Sequence, residues 1–245
     1  MLDFLKDHPF AVDAYFDSSV VLTFAFPKEE LQQKIPDCLQ LDTFDNKWAF
    51  IAVAMVQTRN LRPKGFPKFL GNDFFLIGYR IFVRYTTLSG KNLRGLFIIK
   101  SETDRKKMEF FGNIFTHYNY ATTDIQFENH DGILNISSSK SDFELEVNTI
   151  AESAALPIGS PFKDWKEARR FAGPLPFTFT YDEAKNEVLI IEGVRQNWKP
   201  RPIEVLDHRF NYLDGLGLGG KQLSNAFIIT DVPYSWKKGR KEKWS

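Results

Sequence analysis

The sequence predicts an α+β protein that is mainly β, built on a large curved antiparallel sheet with a few short helices. Three observations predict it. Runs of β-branched and aromatic residues recur along the chain, Gly-, Asn- and Asp-containing turns join neighbouring runs, and only short stretches carry a helical period.

Val20 to Phe26 is β-branched and aromatic and stops at Pro27, as a strand does. Pro27 opens a short helix from Lys28 to Ile35, which Pro36 ends. Leu39 to Phe44 alternates apolar and polar residues and meets Trp48 to Val56 across Asp45-Asn46-Lys47, a hairpin pattern. The run from Trp48 is apolar on both faces, which suits a strand covered on both sides. Leu61 to Asn72 holds Pro63, Gly65, Pro67 and Gly71 and reads as a loop. Phe74 to Thr87 and Leu93 to Lys100 form a second hairpin around Ser89-Gly90-Lys91-Asn92.

Ser101 and Asp104 resemble a capping box for a helix whose apolar face is Met108, Phe111, Ile114 and Phe115. Asp131-Gly132 marks a hairpin in the strand-rich stretch from Asp124 to Val147. A second helix covers Asp164 to Phe171. Strands resume at Phe177 to Tyr181, Val188 to Val194, Pro202 to Val205 and Ala226 to Asp231. No repeat or composition break divides residues 1–245, so one domain is expected.

Composition narrows the function classes. The 24 phenylalanines suit wide sheet faces and apolar cavities, with core packing their plainer use. A net charge of +1 gives no field to gather nucleic acid. Cys38 is the only cysteine, which excludes an internal disulfide and a multi-cysteine metal site. Met1 to Phe10 lacks an apolar signal core, and no run of about 18 apolar residues occurs. The expectation is a cytoplasmic protein with no membrane partner. His8, His117, His130 and His208 show no metal-ligand spacing, so neither metal nor cofactor is expected. Gly215 to Gly220 matches GxGxxG in form, but a strand-like run follows it where a dinucleotide site needs a helix. The basic stretch Lys237 to Lys243 reads as a solvated, frayed end.

Four positions could carry chemistry. Lys106-Lys107 joins two ammonium groups near a helix start, and mutual repulsion, helix polarity and any burial would all favour a neutral amine. Such an amine attacks carbonyls and forms Schiff bases. Glu102, four residues before Lys106, is its proton-transfer partner or an ordinary surface ion-pair partner. Arg80, inside an otherwise apolar strand, either snorkels at a sheet edge or aims a carboxylate-binding fork into a cavity. Glu192 poses the same question with the opposite charge, and an Arg80–Glu192 core pair would answer both.

The order of features resembles the DUF2071 family of the acetoacetate decarboxylase-like superfamily. The resemblance rests on Lys34 to Phe44 with the strand from Trp48, on Asn60-Leu61-Arg62-Pro63-Lys64-Gly65, and on Tyr79-Arg80-Ile81-Phe82-Val83. Leu96 to Ile99 with the following helix, and Gln196-Asn197-Trp198-Lys199-Pro200, complete it. It implies a sheet that closes into a barrel around an apolar cavity with a few polar groups, including Trp198. Lys106-Lys107 occupies a place like that of the lysine pair of the decarboxylases, with Arg105 where those enzymes carry proline.

The expected function is binding of a small organic carboxylate or carbonyl compound near Arg80, with decarboxylase-like (lyase) chemistry at the lysines left open. The alternative is a non-catalytic module that keeps the fold and presents Phe66, Phe69, Phe74 and Phe75 to a partner or to a second copy in a homo-oligomer.

Overall fold

The computed structural model describes residues 3–151, 154–173 and 175–244. Strand β1 (Val12–Pro27) leads through helix α1 (Lys28–Gln32) and the short strand β2 (Gln40–Leu41) to β3 (Trp48–Pro63). β4 (Asn72–Thr86) and β5 (Asn92–Thr103) follow as a hairpin, then helix α2 (Lys106–Phe115) and β6 (Tyr120–Thr122). β7 (Gln126–His130), β8 (Ile133–Ser138) and β9 (Phe143–Asn148) form a meander. Helix α3 (Trp165–Phe171) precedes the hairpin of β10 (Phe177–Asp182) and β11 (Glu187–Arg195). The chain continues through β12 (Arg201–Pro202), β13 (Glu204–Phe210), helix α4 (Asn211–Asp214), β14 (Gln222–Trp236) and β15 (Arg240–Lys243).

The large sheet curves until its ends meet. Hydrogen-bonded neighbours run β14-β1-β3-β4-β5-β10-β11, and β11 pairs back onto β14, closing a ring. Within the ring only β5 and β10 pair in parallel. Side chains alternate across each strand, so every ring strand offers one row inward and one outward.

The outward rows pack against the four-stranded sheet β13-β9-β8-β7. Phe24 and Tyr79 meet Phe210 there at ring-centroid distances of 5.9 and 6.4 Å. The inward rows are plugged at one end by phenylalanines. Phe50 stacks on Phe162 at 5.5 Å and meets Phe82 and Phe171 at 5.8 and 5.2 Å. Phe162 precedes α3 and Phe171 ends it, so the helix carries half of the plug. β3 supplies Phe50 to the plug and Ile51 to the outer layer, and both are fully buried. That double burial is why its sequence is apolar on both faces.

Several expectations are corrected. Leu39 to Phe44 does not form a hairpin with β3: Gln40 and Leu41 pair with β4, and only an isolated bridge joins Phe44 to Trp48. The cause is Asp42, wholly buried and held at 2.6 Å by both Arg84 of β4 and Arg94 of β5. Ser101 caps no helix, because Ser101 to Thr103 are the end of β5 and α2 begins only at Lys106. The basic stretch near residue 240 is not frayed: β15 pairs with β11, and Lys241 bonds Asp7 at 3.0 Å and Glu187 at 3.3 Å. β1 starts at Val12, earlier than its apolar run, because pairing with β3 and β14 carries Asp13, Asp17 and Ser18 along.

Candidate functional site

Beyond the phenylalanine plug, the inward rows surround a cavity of about 600 Å³. All seven ring strands line it, and α2 lies along its mouth with Lys107, Met108, Phe111 and Phe115. Most of the wall is apolar. No aspartate or glutamate lines it among the described residues, while Arg62, Arg80, Lys107 and Arg195 do.

Arg80 is placed by register. On β4 the inward row runs Phe82, Arg80, Gly78, Leu76 and Phe74, so Arg80 follows directly on a plug residue and the wall beyond it turns apolar. Its guanidinium folds back over Gly78: a methyl group on Gly78 would lie 3.0 Å from Nε and 3.1 Å from Nη2. The Arg80 side chain makes no hydrogen bond or ion pair with a described residue, and its buried Nε has no partner. Burial pushes its pKa down, opposed by the nearby hydroxyls of Tyr234, Tyr120 and Tyr118.

A second guanidinium faces the same space. Arg195, at the end of β11, lies over the ring of Trp198 at 4.6 Å and that of Tyr234 at 5.7 Å. Its buried Nη2 is also unpartnered. Burial lowers its pKa, and the charge of Arg80 lowers it further. Gly193 is required beside it, because a methyl group there would collide with the Tyr234 hydroxyl at 2.0 Å. Burial raises Tyr120 to about 12 and Tyr118 higher still, so both hydroxyls remain protonated and can donate hydrogen bonds.

The unpartnered atoms gather here. Buried polar side-chain atoms without a partner occur on His8, Arg80, Tyr118, Arg195 and Trp198, all of which line the cavity. The others, on Thr23, Tyr79, Glu102 and Asn225, lie off it. Buried polar groups are normally paired, so the clustering of unpaired polar atoms around one cavity singles it out as the candidate site. Among the described residues no group of three or more His, Cys, Asp or Glu could hold a metal ion.

The sequence candidates divide. Arg80 and Trp198 share the cavity. Lys107 lies on its mouth; Lys106 does not line it, and both lysines are exposed at the first turn of α2. Glu102 sits on the opposite face of β5 from the cavity-lining Ser101. There it accepts from Ser141 Oγ at 2.6 Å and pairs with Lys100 at 3.1 Å, not with Lys106. Glu192 also points outward and bonds Lys237 at 2.9 Å, so it forms no core pair with Arg80. Of the four loop phenylalanines, Phe66 and Phe69 are exposed, whereas Phe74 and Phe75 are buried as adjacent inward and outward residues of β4. Arg195, Tyr118, Tyr120 and Tyr234 were not singled out from the sequence. No strand alternation marks Tyr118 and Tyr120, because Asn119 between them has a φ of 51° and β6 begins only at Tyr120.

A strand ring around a cavity, plugged at one end and backed by a second sheet, defines an acetoacetate decarboxylase-like fold. The crystal structure of acetoacetate decarboxylase from Legionella pneumophila superposes with a TM-score of 0.60 at 11% identity, covering 94% of this chain and 87% of that one. The enduracididine biosynthesis enzyme MppR complexed with pyruvate gives 0.57 at 8% identity, covering 97% and 92%. An acetoacetate decarboxylase-like enzyme from Sphingomonas wittichii RW1 gives 0.51 at 11%, covering 97% and 91%. At these identities the likeness is one of fold. Residues 14–232 match DUF2071, described as an uncharacterized conserved protein, and the chain belongs to that family. No curated protein matches the sequence. Among the described residues no helix is long and apolar enough to cross a membrane.

Proposed function

We propose that the chain binds a small organic carboxylate inside the strand ring, with Arg80 as its anchor. One observation carries this reading: a guanidinium lacking any protein partner faces a cavity without acidic side chains. Its planar fork matches the two oxygens of a carboxylate, and the low-dielectric wall strengthens that pairing. Arg195, held by Trp198 and Tyr234, supplies a second positive charge, and Tyr118 and Tyr120 supply neutral donors. The pyruvate complex of MppR supports a carboxylate or keto acid by analogy of fold alone.

The test is calorimetric titration of a panel of carboxylic and keto acids into the wild type and R80Q. The reading expects at least one acid to bind, with R80Q weakening it by about 30-fold, from the ~2 kcal/mol of a charge-assisted hydrogen bond. Equal affinities in the two proteins overturn it.

A second reading adds turnover. Lys107 lies on the mouth, within the reach of a carbonyl compound entering the cavity. Glu102 would then need a relay through β5 to act as the proton-transfer partner, since it faces away from the cavity. Borohydride trapping with β-keto acids, mapped by peptide mass, expects an adduct on Lys107. An unmodified Lys107 with every acid that binds leaves a binding module without amine chemistry.

A further inference from the structure

The cavity is too large for the small acids its fold neighbours suggest. An apolar cavity of about 150 Å³ holds benzene, six non-hydrogen atoms. This one has about 600 Å³, four times that. A three-carbon keto acid, also of six non-hydrogen atoms, would leave most of it unfilled. The polar groups are also unevenly placed. Arg80 sits immediately beyond the plug residue Phe82, and the same strand continues toward α2 with Leu76 and Phe74. Leu61 of β3, Met108 of α2 and the rings of Tyr118 and Tyr120 pack with these residues, Thr58 lies beside Phe74, and Phe111 extends the wall to the mouth. The result is a charged floor and a mainly apolar shaft.

We infer that the ligand is an amphipathic monocarboxylic acid, its carboxylate on the Arg80 floor and an apolar body of about 10–14 non-hydrogen atoms along the shaft toward α2, roughly half of the ~24 that the benzene ratio allows for the whole cavity, which opens at its mouth. The inference rests on the carboxylate reading above and adds the tail. Arg62, which already donates to the carbonyls of Asn60 and Phe66, and the exposed Lys107 stand at the mouth, beyond the apolar stretch that takes the tail.

The experiment is titration of straight-chain saturated acids, from acetate to tetradecanoate, and of the matching alcohols into the full chain. Each added methylene is expected to strengthen binding about fourfold, the ~0.8 kcal/mol per buried methylene converted at 1.36 kcal/mol per tenfold. The rise should stop near twelve carbons, and each alcohol should bind at least tenfold more weakly than its acid. The variant L76W, which fills the shaft, should end the rise several carbons earlier than in the wild type, and circular dichroism checks its fold. Affinity independent of chain length, with R80Q still weakening binding of short acids, overturns the tail and leaves the carboxylate site standing. Acids and alcohols binding alike, with R80Q matching wild type, overturn both. A dicarboxylate that outbinds every monocarboxylate of its length also overturns the inference.

Discussion

Replacing Arg80 by methionine should stabilise the protein while removing its ligand binding. The Arg80 Nε is buried without a partner, no acid balances its charge, and its guanidinium rests only on Gly78 and the cavity wall. A buried donor left unpaired costs ~1–3 kcal/mol, and an unbalanced charge costs more. Access to the cavity relieves part of this, so the gain on removing the group is about 1–2 kcal/mol. Methionine is unbranched and fits over Gly78 without a polar atom. For a chain of this size the gain corresponds to a rise in Tm of roughly 2–8 °C. Thermal and urea unfolding of wild type and R80M without ligand measure it. A loss of 1 kcal/mol or more would show that Arg80 holds the fold together and would refute its assignment as an anchor kept at a cost to stability.

Three further outcomes test the surrounding structure. Asp42→Asn leaves Arg84 and Arg94 without their shared carboxylate, and because both arginines are partly exposed the loss should be about 2–3 kcal/mol, below the 3–5 of a fully buried pair, read by urea unfolding. His8 is buried with its pKa pushed down to about 4 from 6.5, so the unfolded chain takes up the proton first. Stability is complete above pH 6.5 and falls as pH drops from 6.5 to 4, by on the order of 3 kcal/mol from His8 alone. His8→Asn keeps the positive φ of 54° that asparagine tolerates, and should flatten that part of the stability profile. Gly78→Ala should displace the Arg80 guanidinium by a few tenths of an ångström and weaken acid binding about tenfold, with no further effect in an R80Q background.

The outer architecture was legible because it follows from periodicity. β3 announced its double burial, the β4–β5 hairpin its turn, and Asp131-Gly132 its positive φ angles. What local patterns could not carry was pairing decided at a distance. Asp42 drew β2 onto β4 through arginines 42 and 52 positions away, and β15 found β11 through lysines that look like a solvated tail. The site shows the same division. Arg80 stood out as a charge among apolar residues, and Trp198 through a family motif. Arg195, Tyr118 and Tyr234 became cavity residues only when ring closure brought β11, β14 and the segment before β6 together. Lys106-Lys107 drew attention for the opposite reason. A charged pair is conspicuous in sequence, but α2 begins at Lys106 and turns both side chains toward solvent. Glu102 lies on β5 rather than at the start of that helix, and strand parity sends it outward.

The most direct test of the central claim is a crystal structure with a brominated aromatic or long-chain monocarboxylic acid, its bromine located by anomalous scattering. The account predicts a bromine peak inside the strand ring toward α2, with the carboxylate oxygens about 2.7–2.9 Å from the Arg80 guanidinium. An acid bound with its carboxylate at the mouth against Lys107 and its body on the Arg80 floor would contradict it, as would binding confined to the outer face of the ring.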